Sequence, residues 1–411
     1  MNQSLFNELQ NAQKEPLSKS TLVSQLPSTI EIQSAKIDYV HPIATVATFE
    51  IGAKASQVNT DNTADFSDLI GTVPQPNYEF SNRFRYKEQI LAGYLNATKE
   101  WKSLTLQAGL RMENTSIDGL QYGNPTVKDS AFQRSYTNLF PTLFAKYNLD
   151  TLEKHVLTFN FGRRIERPDY QDLNPFTYPM DRYTYYGGNP FLLPTFSYNI
   201  ELAHTFKNFL TTSFQYNYSK NVINETNEQR DNIYYSRPGN YGEHSIYGVS
   251  ISGNFELTPW WSVNVYTEVM NRQYKSLIYN QVLDKQKVFW YFGPNNQFQL
   301  SKTWSAEVSA NYQTRILVAQ FVTIAVWSAR VGIAKKLWGG KGSIKLNLND
   351  IFYTNQPGGD ITTIANSKAS WLSFLDTRVA TLSFSYRFSK GENLKARKIG
   401  GAEDEQNRVK K

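Results

Sequence analysis

The sequence has no cysteine and only four histidines among its 411 residues. Without cysteine the chain cannot form disulfide bonds, zinc-thiolate sites or a thiol nucleophile. Long apolar runs are also missing, since even the stretch Phe321–Trp327 is interrupted by a threonine. A membrane-spanning helix needs about 20 predominantly apolar residues. These absences exclude a disulfide scaffold, a cysteine-based enzyme and a helical membrane protein.

Aromatic residues are abundant, with 25 Phe, 26 Tyr and 8 Trp. A chain this rich in aromatic side chains has ample surface to bury, so the composition argues against a chain that is disordered as a whole. The mean hydropathy is nevertheless low, at −0.50. A transmembrane β-barrel combines both properties, because apolar and polar residues alternate along its strands and aromatics gather at the two membrane interfaces.

Hydrophobic residues recur with a period of two along much of the chain. In Trp304–Tyr312 the even-numbered positions are apolar or aromatic, and the odd-numbered positions are serine, glutamate and asparagine. The same alternation recurs in 104–113, 196–203, 210–218, 247–257 and 344–349. A period of two is the signature of a β-strand. The fold class is therefore predicted as all-β, an antiparallel transmembrane β-barrel.

The connections between the predicted strands alternate in length. Short turns are predicted at His41–Thr45, Lys99–Trp101, Leu149–Lys154, Lys207–Phe209, Thr258–Trp260, Ser301–Trp304 and Trp338–Lys341. Longer loops are predicted at Asn62–Asn77, Gly119–Ala131, Pro168–Pro194, Asn221–Asn232 and Gln356–Ala369. Outer-membrane barrels have this asymmetry, with short periplasmic turns and longer extracellular loops. Trp101, Trp260, Trp261 and Trp304 beside the short turns are then expected to form a periplasmic aromatic girdle.

Three regions are predicted along the chain. Residues 1–27 are expected to be a loop or a partial strand, 28–388 the barrel with about fifteen strands, and 389–411 a polar, disordered periplasmic tail. The start lacks the features of an export signal, and single-chain bacterial barrels have an even number of strands. Both observations favour the interpretation that the chain is the C-terminal part of a longer protein.

The last predicted strand ends in alternating aromatic residues. Phe384, Tyr386 and Phe388 share one face, and a strand of this kind resembles the signal that the barrel-assembly machinery reads. The tail after it has seven Lys/Arg and four Asp/Glu. Because acidic residues interrupt the basic ones, no nucleic-acid partner is expected.

Several stretches resemble TonB-dependent outer-membrane receptors of the Bacteroidota type. They are the run Arg163–Phe176, the motif Gly188-Asn189-Pro190 with Leu193-Pro194, the preceding Leu139–Thr142 and the tail Gly400–Glu405. The resemblance covers nearly the whole chain. It implies a 22-stranded barrel of which about the last fifteen strands are here, a plug and TonB box upstream, and import powered by the TonB complex. Expected partners are outer-membrane lipid, the barrel-assembly machinery and a small-molecule, glycan or peptide substrate.

Two interpretations of the run Arg163–Phe176 and the loop that follows remain open. In one, Arg163, Arg164 and Arg167 pair with Asp169 or Asp172 and hold the loop over the barrel mouth. In the other, aromatic side chains of the loop capture substrate, since tyrosine and phenylalanine offer stacking area at low entropic cost. The candidates for such contacts are Tyr170, Phe176, Tyr178, Tyr183, Tyr185 and Tyr186.

Catalytic and metal-binding patterns are weak. His41, His155, His204 and His244 are scattered, and no phosphate-binding, metalloprotease or serine-hydrolase motif occurs. We therefore expect no cofactor, no metal site and no enzymatic activity. Alternatives to transport are a binding or adhesion barrel, an outer-membrane hydrolase and a soluble carbohydrate binder made of several sandwiches.

Overall fold

The computed structural model describes residues 2–43, 47–181, 183–230, 232–278, 280–361, 369–388 and 401–409. Parts of the predicted turn at His41–Thr45, the predicted loop at Gln356–Ala369 and the predicted tail 389–411 lie outside these residues. No helix in the described ranges has the length and apolar character needed to cross a bilayer.

Strands make up most of the described chain. In chain order they are β1 (Asn2–Gln10), β2 (Pro16–Gln25), β3 (Ser28–Ile43), β4 (Ala47–Ile70), β5 (Val73–Pro76), β6 (Asn82–Glu100), β7 (Leu104–Tyr122), β8 (Ser130–Asn148), β9 (His155–Glu166), β10 (Thr177–Pro179), β11 (Thr184–Gly187), β12 (Thr195–Phe206), β13 (Leu210–Arg230), β14 (Ile233–Thr258), β15 (Trp261–Ile278), β16 (Gln281–Gln299), β17 (Trp304–Gln313), β18 (Leu317–Val318), β19 (Phe321–Thr323), β20 (Val326–Leu337), β21 (Gly342–Leu348), β22 (Gly358–Ile361), β23 (Ala369–Leu372) and β24 (Ala380–Tyr386). A 3₁₀ turn at Trp338–Gly340 and the short helix α1 (Glu403–Gln406) complete the described elements.

One antiparallel ladder forms the wall. Within the described residues it joins fifteen strands in the order β3, β4, β6, β7, β8, β9, β12, β13, β14, β15, β16, β17, β20, β21 and β24. Each strand pairs with the next long strand in sequence, which is the up-and-down order of an outer-membrane barrel. The predicted fold class and the predicted number of strands are both confirmed.

The two faces of the wall differ in burial. Along β6, Ile90 and Ala92 are 5% and 7% exposed, whereas Leu91 and Leu95 are 59% and 50% exposed. Leu91 and Leu95 belong to an apolar belt on the outer face that continues through Leu110, Met112 and Leu139 on the neighbouring strands. Large apolar side chains exposed in such a row are suited to contact with lipid. On the same face, nearer the long loops, β6 carries Arg83, Arg85, Lys87 and Gln89.

The short turns lie where the sequence predicts them, although residues 44–46 of the first are outside the described ranges. The turn between β8 and β9 illustrates why they form. The carboxylate of Asp150 accepts hydrogen bonds from the backbone N–H groups of Leu152 (2.9 Å), Lys154 (3.1 Å) and His155 (2.7 Å). These hydrogen bonds hold the pKa of Asp150 below its usual value, and the bond from the N–H of Lys154 has the largest effect. Trp101, Trp260 and Trp304 lie at such turns with exposures of 45%, 52% and 38%.

Two predicted loops are strands in the structure. β4 and β5 run through most of the loop predicted at Asn62–Asn77, and β13 and β14 run through most of that predicted at Asn221–Asn232. These segments are polar, so they lack the apolar alternation on which the prediction depends. Their backbone groups are satisfied by the ladder itself.

The beginning of the chain forms a hairpin. β1 and β2 pair from Asn2↔Gln25 to Gln10↔Pro16, and β2 continues the edge of the wall by pairing with the end of β4. In the turn, the side-chain oxygen of Asn11 accepts hydrogen bonds from the N–H groups of Gln13 and Glu15. Residues 1–27 are therefore more regular than the expected loop or partial strand.

The described end of the tail is packed inside the wall. In the segment Gly401–Val409, Glu405 is 2% exposed and Arg408 is 8% exposed. The prediction of a disordered periplasmic tail is wrong for these nine residues. Low hydrophobicity suggests disorder from composition, but here buried ion pairs with the wall supply the contacts that apolar side chains would otherwise make.

Candidate functional site

The connection between β9 and β12 folds back against the wall, and we call residues 167–194 the inner loop. Pro168 follows the end of β9, where a residue without a backbone N–H cannot continue the ladder. The loop carries β10 and β11, and β11 pairs in parallel with β14 from Thr184↔Tyr234 to Tyr186↔Ser236. The inner loop is thus held at both its ends and along its length.

Buried apolar side chains anchor the inner loop to β4 and β6. Tyr170 is 2% exposed, Phe176 1% and Leu192 3%. They form one cluster with luminal side chains that include Val58 and Phe84. Full burial of such a side chain contributes about 1.5–3 kcal/mol. The docked position of the loop is therefore strongly favoured over an open one.

The motif Gly188-Asn189-Pro190 closes the inner loop on itself. A Cβ on Gly188 would lie 1.9 Å from the carbonyl oxygen of Asn174, so only glycine fits there without a backbone shift. The N–H of Asn189 donates to the carbonyl of Asp172 at 2.6 Å, and the side-chain amide of Asn189 donates to Pro238 on β14 at 3.3 Å. The motif therefore has a structural role in the loop.

The six aromatic residues predicted as substrate contacts have different environments. Tyr170 and Phe176 are buried. Tyr178 packs against the same cluster, and burial raises its pKa to about 12. Tyr183 is 54% exposed. Tyr185 and Tyr186 are neighbours on β11 and are half-buried, and the ring of Tyr185 lies edge-on to that of Tyr235 with centroids 5.5 Å apart.

The arginines of the run Arg163–Phe176 bind the wall. Arg163 donates to the carbonyl of Leu139 at 2.5 Å and to the side chain of Asn138 at 2.9 Å. Arg167 pairs with Glu113 on β7 at 2.7 Å. The sequence predicts pairing with Asp169 or Asp172, whereas the ion pair described for Arg167 is with a wall strand. The ion pair of Arg167 holds the start of the inner loop against the wall, whereas Arg163 joins β9 to β8 within the wall.

A cavity of about 720 Å³ lies between the inner loop, the luminal wall and the segment Gly401–Val409. Its lining is mostly polar and charged, and includes Lys36, Tyr94, Asn96, Arg111, Glu113, Phe140, Thr142, Arg164, Glu166, Arg167, Asp404, Glu405 and Arg408. The volume lies within the usual range of small-molecule sites. Such a lining can hold a polar or charged molecule through hydrogen bonds and ion pairs. Periodicity predicts that Arg111 and Glu113 face inward, but not that they meet the inner loop and the tail.

Two of the histidines that look scattered in the sequence are neighbours. Nδ1 of His155 and Nε2 of His204 are 3.1 Å apart, and the two rings stack with centroids 5.3 Å apart. The pairing of β9 with β12 brings them together. In the described part of the chain, no group of three or more His, Cys, Asp or Glu side chains could hold a metal ion.

Two residues of the predicted assembly signal, Phe384 and Tyr386, lie on the last strand, and Phe388 follows its end. Phe384, Tyr386 and Phe388 are 61%, 39% and 89% exposed. Trp338 at the neighbouring turn contacts Phe384 and Tyr386 edge-on, and Tyr386 contacts Phe388. The described end of the wall therefore presents an aromatic row outward.

Residues 1–386 match the family model of the outer membrane protein beta-barrel family. The chain belongs to this family. It is accordingly an integral protein of the outer membrane, as the sequence predicts. The comparison with curated proteins gave no match.

Solved structures share the fold of this outer-membrane barrel. The ferric yersiniabactin uptake receptor FyuA from Yersinia pestis is 11% identical with a TM-score of 0.61, covering 89% of this chain and 57% of its own. The ferric-catecholate import receptor Fiu from K12 E. coli is 13% identical with a TM-score of 0.58, covering 89% and 56%. The copper transporter OprC is 12% identical with a TM-score of 0.62, covering 94% and 60%. These proteins are named as receptors and transporters, and the chain spans little more than half of their length. The predicted resemblance to such receptors is confirmed for the barrel fold.

Proposed function

We propose that this protein is the barrel part of a TonB-dependent transporter that imports a nutrient or a chelate across the outer membrane. The observation that carries the proposal is the charged, open-sided cavity of about 720 Å³ between the wall and the inner loop of an outer-membrane barrel. A cavity inside the wall lies on the path that a transported molecule takes, whereas an adhesin needs only an outer surface.

Two further observations support import. Inward-facing positions of the wall carry Ser, Thr, Asn, Gln and charged residues, which suit a hydrated lumen. Structures with the same fold include proteins named for uptake of ferric chelates and for copper transport. A plug and a TonB box encoded upstream, engagement of the TonB complex, and a small-molecule, glycan or peptide substrate belong to the same proposal.

The proposal is tested by uptake measurements in the native host. Deleting the gene should abolish accumulation of one member of a panel of labelled ferric chelates, copper, glycans and peptides under limitation for that nutrient. The intact gene should restore uptake, and inactivation of TonB should abolish it again. Uptake that continues without TonB would contradict the proposed energy source.

Variants of the cavity link uptake to this site. Arg111→Ala together with Arg164→Ala removes two cations from the cavity wall, and we expect uptake to fall roughly tenfold or more, since hydrogen bonds to charged groups are worth about 1.5–3 kcal/mol each. The matched control is Lys87→Ala, which removes an exposed cation from the outer face of β6. Ligand binding at the cell surface with no accumulation would support the adhesion barrel, and chemical conversion of the ligand by the purified protein would support the hydrolase.

A further inference from the structure

The segment Gly401–Val409 follows the last wall strand in sequence, yet it docks on strands at the other end of the ladder. The hydroxyl of Ser34 on β3 donates to the carbonyl of Gly401 at 2.7 Å. Lys54 on β4 contacts Asp404 at 3.1 Å and Glu405 at 3.0 Å. The nine residues therefore lie along the luminal faces of β3 and β4.

Buried charges match between the segment and the wall. The side chains of Lys54 and Glu405 are 6% and 2% exposed, and those of Arg408 and Glu88 are 10% and 1% exposed. Arg408 forms a two-point contact with Glu88 at 2.5 and 3.4 Å. Burial lowers the pKa of Arg408, but the Glu88 carboxylate, together with Tyr170 and Tyr86, raises it, so that the pKa stays above its usual value. A buried charge without its partner is strongly unfavourable, so wall and segment are complementary at two points.

Arg408 also contacts the inner loop. Its Nε donates to the carbonyl of Pro168 at 2.9 Å, its guanidinium lies 4.2 Å from the centre of the Tyr170 ring, and its carbonyl accepts the N–H of Tyr170 at 3.2 Å. Val409 packs against the apolar cluster that anchors the loop. Arg408 thus lies between the wall and the inner loop and binds both.

We propose that the luminal faces of β3, β4 and β6 form a peptide-binding site, that Gly401–Val409 is its resident ligand, and that this ligand clamps the inner loop in its docked position. The ligand chemistry is specific: an acidic pair that reaches Lys54, followed by an arginine that reaches Glu88. While the clamp is bound, Asp404 and Glu405 form one side of the charged cavity. Movement of the loop away from β6 breaks the contacts of Arg408 with Pro168 and Tyr170, so the loop opens only when these contacts with the clamp are lost. The clamp does not depend on which molecule crosses the membrane.

The absence of native cysteine makes a single introduced cysteine a clean reporter. Ser56, 6% exposed, lies on the luminal face of β4 between Lys54 and Val58. In Ser56→Cys protein held in outer membranes, the thiol should react slowly with a maleimide. We expect roughly hundredfold faster reaction when residues 401–411 are deleted or when Arg408→Gln is added, because removing one partner of a buried ion pair is strongly destabilising. Gln406→Ala, at an exposed position of the same segment, should leave the rate unchanged.

Two controls make the outcome decisive. A cysteine introduced as Gln89→Cys, exposed on the outer face of β6, should react at the same rate in all of these proteins, which shows that the wall is intact. A synthetic peptide of residues 401–411, added to the deletion protein, should restore protection of the thiol at position 56. Equal labelling with and without the segment, or failure of the peptide to protect, would overturn the proposal.

Discussion

Truncation of one buried aromatic ring should release the inner loop without unfolding the wall. Phe176 is 1% exposed within the cluster that joins the loop to β4 and β6. Phe→Ala at such a site costs about 3–5 kcal/mol, because contacts are lost and a cavity remains. The wall keeps its ladder hydrogen bonds, so the loss is confined to the docking of the loop. At about 1.4 kcal/mol per factor of ten, Phe176→Ala should raise the open population of the loop between roughly a hundredfold and a few thousandfold.

Amide hydrogen exchange of the detergent-solubilised protein measures this population peptide by peptide. Peptides from the inner loop should lose protection by that factor, while peptides from β15 and β16, which do not pair with the loop, keep theirs. The matched control is Phe191→Ala, in the same loop but 61% exposed, for which we expect less than about a threefold change, since surface substitutions usually stay within 0.5 kcal/mol. Unchanged protection in Phe176→Ala, equal loss in both variants or parallel loss in the wall would each refute the reasoning.

Three other changes have defined outcomes. Gly188→Ala places a Cβ against the carbonyl of Asn174, and overpacking of about 1–3 kcal/mol should make the loop roughly ten to a hundred times more sensitive to limited proteolysis. Asp150→Asn should lower the heat-modification midpoint on gels at neutral pH, and the difference in midpoint between variant and wild type should disappear in acid. A carboxylate with a lowered pKa stabilises the fold above its unfolded pKa and loses this effect as the pH falls through the folded pKa. Phe388→Ala should reduce the amount of assembled barrel in membrane fractions severalfold. The melting temperature of the barrel that does assemble should change little, because this ring is 89% exposed. The control Phe352→Ala, which removes a ring that is 60% exposed in a loop, should leave the amount of assembled barrel unchanged.

Regular parts of the fold follow from local sequence. Turns such as Lys207–Phe209 are predictable because polar residues interrupt an alternating pattern between two strands. Inward-facing residues such as Arg111 are predictable for the same reason. The polar ends of β13 and β14 are missed, because there the ladder and not apolar burial maintains the strand.

The site depends on contacts between residues far apart in the sequence. Lys54 and Glu405 are separated by 351 residues and pair in the lumen, and no periodicity in either segment indicates that they meet. The inner loop could be recognised as a loop from its prolines and asparagines. Its burial was not predictable, because Tyr170 and Phe176 look alike whether they face solvent or pack against β6.

The length of the strands has a consequence for the route that a ligand takes. β14 has 26 residues, and at about 3.3 Å per residue it is roughly 85 Å long. A tilted strand crosses a bilayer with about 9–11 residues, so more than half of β14 projects beyond the lipid as a collar. The inner loop pairs with this projecting part, at Tyr234–Ser236. Under the proposed transport function, a ligand bound at the rim of the collar would still be several nanometres from the periplasm, and its capture and its crossing would take place at different heights along one wall.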